Sequence, residues 1–220
     1  DLAGCELISY GKHIPFVAIP TTSGTGSEVT LVAVILNKVK NIKMEFISYF
    51  LVPDVAVLDP RMTLTLPAKT TASTGMDALC HAIEGYTCLQ KNPLSDAYAT
   101  SSMEIIRDNL IDVTKNGENK QKRLAMANAS LMAGVAFSNS MVGIIHAIGH
   151  SVGAVARVPH GDAMAILMPH CMRFNLDKLQ AEYAKLLLYI GGEEIYMNTP
   201  AEQRGKQDNR VYRKFITRTT

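Results

Sequence analysis

Gly75-Met76-Asp77-Ala78-Leu79-Cys80-His81-Ala82-Ile83-Glu84-Gly85-Tyr86 is the stretch on which the reading of this chain turns. Asp77 and His81 stand four residues apart in it. In a helix that spacing puts both side chains on one face, a turn apart, able to converge on one point. A carboxylate and an imidazole so placed can share a metal ion. Further on, Gly143-Ile144-Ile145-His146-Ala147-Ile148-Gly149-His150-Ser151-Val152-Gly153 sets two more histidines one turn apart. Val158-Pro159-His160-Gly161-Asp162 adds another just after a proline, where a new helix can begin. Taken singly, each histidine reads more simply as a hydrogen-bonded core residue. Taken as a set, they describe a mixed nitrogen and oxygen site that suits Fe(II) or Zn(II) better than Mg(II) or Ca(II).

Composition sets the outer limits. At 220 residues, 47% hydrophobic and 19% charged, the chain has enough apolar material for the core of one or two globular domains. A net charge of +2 with no long basic run implies no nucleic-acid partner. Apolar runs such as 164–168 and 186–190 fall well short of the roughly 20 residues that span a bilayer, so no membrane partner is expected. Asp1-Leu2-Ala3-Gly4-Cys5 has no basic, apolar leader, and a cytoplasmic protein is expected. The four cysteines, Cys5, Cys80, Cys88 and Cys171, form no C-x-x-C pair and read as reduced thiols.

Three short apolar runs, residues 15–20, 31–36 and 54–59, suit buried strands of one sheet. Between the first two, Thr21-Thr22-Ser23-Gly24-Thr25-Gly26-Ser27-Glu28 is a turn whose glycines, hydroxyls and amides can also cradle a pyrophosphate; it is not G-x-G-x-x-G. From residue 67 the apolar period becomes helical, predicting helices over 67–87, 93–115, 120–138, 143–156, 160–173 and 176–190. The fold class is therefore α/β followed by all-α, with domains at 1–65 and 66–205 and an irregular, basic tail at 206–220. Ala125 to Ala136, rich in alanine and methionine, reads as close helix packing. Glu84, three residues past His81, reads either as a partner for that imidazole or as an ion pair.

The wording Thr74-Gly75-x-Asp77-Ala78-Leu79-x-His81-Ala82-Ile83-Glu84-Gly85-Tyr86, then Asn92-Pro93-Leu94-Ser95-Asp96-Ala97-Tyr98-Ala99, then the histidine-rich run from Gly143 to Asn175, closely resembles the iron-containing (group III) alcohol dehydrogenases. The loop at 21–28 and Pro53 to Pro60 resemble the same family. This likeness implies the remnant of a dinucleotide-binding sheet domain joined to a helical metal-binding domain, within a chain that lacks most of the N-terminal nucleotide-binding part and the C-terminal end. It implies a metal-dependent, NAD(P)-linked oxidoreductase acting on a small primary alcohol or aldehyde, as a homo-oligomer, and impaired when truncated in this way. Asp77, His81, His146 and His160 would ligate Fe(II), or Zn(II). Thr21, Thr22, Gly26 and Lys43 would contact NAD or NADP, and His150 would serve catalysis by relaying the proton. Lys43 reads equally as an exposed lysine and His150 as a packing histidine. Arg157 stands where many relatives carry histidine or tyrosine. A zinc enzyme resembling glycerol dehydrogenase or dehydroquinate synthase, and a non-catalytic remnant of the fold, are the alternatives; one acid with three histidines fits the iron-type enzymes better than one acid with two.

Overall fold

The computed structural model describes residues 14–219, so Cys5 and the start of the first segment lie outside the described residues. Strand β1 (Val17–Ala18) pairs in parallel with β4 (Val55–Ala56), in register Val17 to Val55. Strands β2 (Val32–Asn37) and β3 (Ile42–Ile47) form a separate antiparallel hairpin. Its turn is set by the Asn37 side-chain oxygen, which accepts from the amides of Val39 and Lys40, both at 3.0 Å. The single sheet of buried strands expected from the sequence is thus two small ladders. Nor are they deeply buried: Val34, Ile35 and Leu36 on β2 and Val17 and Val55 on the parallel pair are exposed. β3 went unread because Lys43 and Glu45 interrupt its apolar residues, although the alternation of Ile42, Met44 and Phe46 with them is that of a two-faced strand.

Seven helices follow among the described residues: α1 (Ala68–Thr87), α2 (Pro93–Lys115), α3 (Lys120–Ser138), α4 (Ile144–Val155), α5 (His160–Gly191), α6 (Glu193–Asn198) and α7 (Arg204–Thr219). The sheet-then-helix order is that of the expected class, α/β followed by all-α. Helix α2 begins where the sequence says it must: Asn92 accepts from the amides of Leu94 and Ser95 while the Ser95 hydroxyl accepts from the Asn92 amide, with Pro93 in the first turn. α1 is the central rod. From Gly75 to Tyr86 every residue is buried, because α2, α3 and α5 pack around it. Arg123 on α3 pins the start of that rod, donating to the Thr71 hydroxyl at 2.8 Å, the Leu66 carbonyl at 3.0 Å and the Gly117 carbonyl at 2.7 Å. A buried guanidinium is tolerable there because three oxygens replace its water.

The two helices read over 160–173 and 176–190 are one run, α5, that contains Pro169 and bends where Leu179 leaves helical geometry (φ −114°, ψ 19°). The tail read as irregular is also a correction: α7 is helical from Arg204, and Tyr212 and Phe215 bury themselves in the core that α5 helps to form. Four arginine and lysine residues between Arg210 and Arg218 masked this apolar stripe, whose members Val211, Tyr212, Phe215 and Ile216 recur at helical spacing.

Candidate metal centre

Asp77 and Glu84 lie seven residues apart on α1, two turns along one face, and His81 lies between them. The fourth helix brings His146 onto that face. Its Nδ1 is 2.5 Å from Glu84 Oε2, and its Nε2 is 3.5 Å from Asp77 Oδ1. Glu84 does a second job at the same place, accepting from the amides of Ile145 at 2.7 Å and His146 at 3.4 Å, so this α1 carboxylate caps the start of α4. His160, first residue of α5, places Nε2 3.2 Å from the same Asp77 oxygen. It gets this close because the next residue is Gly161, where an added Cβ would sit 2.1 Å from the Ser73 carbonyl oxygen. Any side chain there would push α5 away from α1.

Asp77, His146 and His160 therefore present one ligand-capable atom each, all within 4.8 Å of one another. His81 stands beside this trio. Its ring lies between Phe137, at 4.3 Å between centroids, and His146, at 4.4 Å and nearly parallel. Glu84, expected to partner His81 or to form an ion pair, instead takes the His146 imidazole as its partner.

The electrostatics follow from burial and crowding. Burial pushes the Asp77 carboxyl upward, yet His81, His146 and His160 around it hold its pKa well below the carboxylate range. Burial drives His81 down to about 3, keeping it neutral. His146 suffers the same desolvation but faces Asp77 and Glu84 together, and is held up at about 9. Among the described residues, four buried atoms in this cluster make no well-directed hydrogen bond: Asp77 Oδ1, His81 Nδ1, His146 Nε2 and His160 Nδ1. Orphaned polar atoms inside a protein are costly, and one carboxylate with three imidazoles is the donor set of a borderline divalent cation.

The remaining sequence candidates surround this point. His150, one turn along α4, has its ring 5.1 Å from that of His160 and 5.8 Å from that of His146, and its Nδ1 is hydrogen-bonded to Glu45 Oε1 on β3. Burial lowers its pKa against the opposing pull of Glu45. Lys43, on the same face of β3 as Glu45, lies against α4 at Gly153, where an added Cβ would be 3.0 Å from Nζ. In the Gly-rich loop, Thr21 is exposed and Thr22 half-buried. Gly26, with φ of 62°, packs closely on α3, where an added Cβ would be 2.8 Å from Gly134 Cα.

Residues 71–217 match the description "Fe-containing alcohol dehydrogenase family, C-terminal", and residues 2–60 match "Iron-containing alcohol dehydrogenase". The chain belongs to the iron-containing alcohol dehydrogenase family. An NAD-dependent methanol dehydrogenase from Bacillus methanolicus is 42% identical over 188 residues, which is 86% of this chain and 49% of that protein. Alcohol dehydrogenase 4 of Saccharomyces cerevisiae is 38% identical over 198 residues, covering 88% and 52% of the two chains. Among solved structures, an alcohol dehydrogenase from Oenococcus oeni superposes with a TM-score of 0.93 at 32% identity, over 99% of this chain and 56% of that one. The chain spans about half the length of these relatives. None of its described helices is long and apolar enough to cross a membrane.

Proposed function

We propose that the whole protein to which this chain corresponds is a metal-dependent, NAD(P)-linked alcohol dehydrogenase or aldehyde reductase acting on small primary alcohols, and that this chain carries its metal-binding half. The observation that carries the reading is the convergence of Asp77, His146 and His160, each offering a ligand atom within 4.8 Å of the others, with the His81 ring stacked on His146 beside them. Asp77, His146 and His160 would hold Fe(II) or Zn(II), with His81 Nδ1 as the further donor. The cation supplies Lewis acidity that lowers the pKa of an alcohol hydroxyl, and NAD or NADP supplies the hydride acceptor.

The rest of the work falls to the chain. Glu84 orients the His146 ring through Nδ1 and so aims Nε2 toward Asp77. His150, part-exposed beside His160, is placed to carry the alcohol proton away. Lys43, against α4, offers a cation to the cofactor's phosphate or ribose, and Thr21 and Thr22 offer hydroxyls from the loop above α1. Three converging ligands would also suit the acid-and-two-histidine zinc enzymes. His81 beside them, with its own orphaned nitrogen, favours the iron-type set.

The test is anaerobic calorimetry with Fe(II) and with Zn(II) on the purified chain and its Asp77→Ala variant, followed by NADH formation from ethanol and 1-propanol. One equivalent of metal bound by the parent and lost in Asp77→Ala is the expected result. Absence of stoichiometric metal, or equal binding by both proteins, would leave a non-catalytic remnant of the fold.

A further inference from the structure

His150 is held from outside the helical bundle. The hydrogen-bond partner of its ring among the described residues is Glu45, more than a hundred residues earlier in the chain and on the hairpin. The carboxylate is half-exposed, with 47% of the side chain accessible, while the imidazole is 16% accessible. No described residue makes a hydrogen bond to His150 Nε2. The ring stands at the edge of the cluster, 5.1 Å from His160.

This contact is built by two periodicities that meet. Lys43 and Glu45 lie two residues apart on one face of β3, whose register against β2 is fixed by the pairs Leu36 to Lys43 and Val34 to Glu45. His150 and Gly153 lie three residues apart on one face of α4. Lys43 meets Gly153 and Glu45 meets His150, so a one-residue slip of the hairpin would withdraw both. In a neutral imidazole, a carboxylate accepting at one nitrogen fixes the proton there and leaves the other nitrogen as an acceptor.

We propose that Glu45 is a positioning residue: it accepts the Nδ1–H of His150 and thereby presents Nε2 of that ring as the free, proton-accepting nitrogen beside the Asp77, His146 and His160 cluster. The proposal rests on the reading of that cluster as the alcohol site. Glu45 acts through His150 and touches neither substrate nor cofactor. Because it sits on a strand outside the helical domain, it makes the tautomer of a site histidine depend on the docking of the hairpin.

The test uses the whole 220-residue chain with 15N-labelled histidine, the His150 signals being identified by their loss in His150→Gln. Two-bond proton–nitrogen spectra should show His150 protonated at Nδ1 in the parent and in Glu45→Gln, which keeps an accepting oxygen. Glu45→Ala should move the population toward Nε2–H. Zn(II) affinity should be the same in all three proteins, and in the whole protein carrying the same change kcat for ethanol oxidation should fall about 10-fold or more in Glu45→Ala with KM unchanged. An unchanged tautomer in Glu45→Ala overturns the proposal. So does a joint loss of Zn(II) affinity and thermal stability that Glu45→Gln fails to rescue, since the pair would then be only a strap between hairpin and helix. A parent that binds no metal sinks the reading of the cluster as the alcohol site, while the tautomer shift by itself still decides the role of Glu45.

Discussion

Asp77 and Asp208 are both almost wholly buried aspartates, and they live in opposite electrostatic worlds. Asp77 sits where α1, α4 and α5 meet, with three imidazoles around it, and its pKa is drawn well below the carboxylate range. Asp208, on α7 near Tyr183 and Tyr212, has no hydrogen-bond partner for either oxygen among the described residues, and burial alone drives its pKa well above that range. Burial by itself therefore says nothing about a buried acid's charge. Its neighbours decide: the α1 site has assembled imidazoles around its acid, while the α7 site offers its acid no cationic partner among the described residues.

The largest effect should come from removing the better-surrounded acid. Asp77→Ala deletes the one anionic donor in the trio and should lower Zn(II) or Fe(II) affinity by more than about 100-fold, beyond what losing an outer partner costs. His81→Ala, measured in the same calorimeter, sharpens the comparison. A loss similar to that of Asp77→Ala would make its orphaned Nδ1 a ligand, whereas a loss of only a few fold would leave it a stacked neighbour of His146.

Glu84→Gln ranks next. The amide can still accept from the Ile145 amide but no longer provides the charge that faces the His146 ring and the first turn of α4. Metal affinity should fall about 10–100-fold. Thermal melting of the metal-free chain should drop by a few degrees as α4 loses its anionic cap, about 2–4 °C per kcal/mol at this size.

Asp208 tests the other side of the contrast by pH. Its folded pKa lies above the unfolded one, so the folded state binds the extra proton. Stability is full below the ordinary carboxylate pKa and is lost as pH rises toward the folded value. Asp208→Asn cannot ionise. In urea titrations the variant should match the parent near pH 4 and exceed it by about 1 kcal/mol or more at pH 8. An Asp208→Asn chain no more stable than the parent at pH 8 would mean that a partner or water satisfies the carboxylate, and the contrast with Asp77 would dissolve.

Much of this was legible in the residues because it is local. Pro93, the Asn92 cap and the apolar period placed α2 and α3 at their ends, and the four-residue spacing of Asp77 and His81 put both on the right face. What was not legible depends on which elements meet. Nothing near Glu84 says that its imidazole is His146, because that contact joins α1 to the start of α4 across a stretch of chain containing two whole helices. Glu45 belongs to a strand whose charged face is the working one, so its apolar alternation pointed away from its role. The basic residues of α7 hide a core helix in a similar way, because their charge masks the helical period of Val211, Tyr212, Phe215 and Ile216.

The smallest effect concerns how α5 is aimed at Asp77. Arg157, between α4 and α5, holds φ at 57°, the left-handed region that costs a non-glycine residue about 1 kcal/mol. Arg157→Gly relieves that cost but frees the unfolded chain, and the two partly cancel. A net gain of about 0.5 kcal/mol is expected in urea titration, with metal affinity unchanged, because Pro159 and Gly161 still set the entry of His160. A loss of metal affinity in Arg157→Gly would mean that the strained turn itself presses His160 onto Asp77. The site would then depend on backbone geometry between helices as much as on the donors the helices carry.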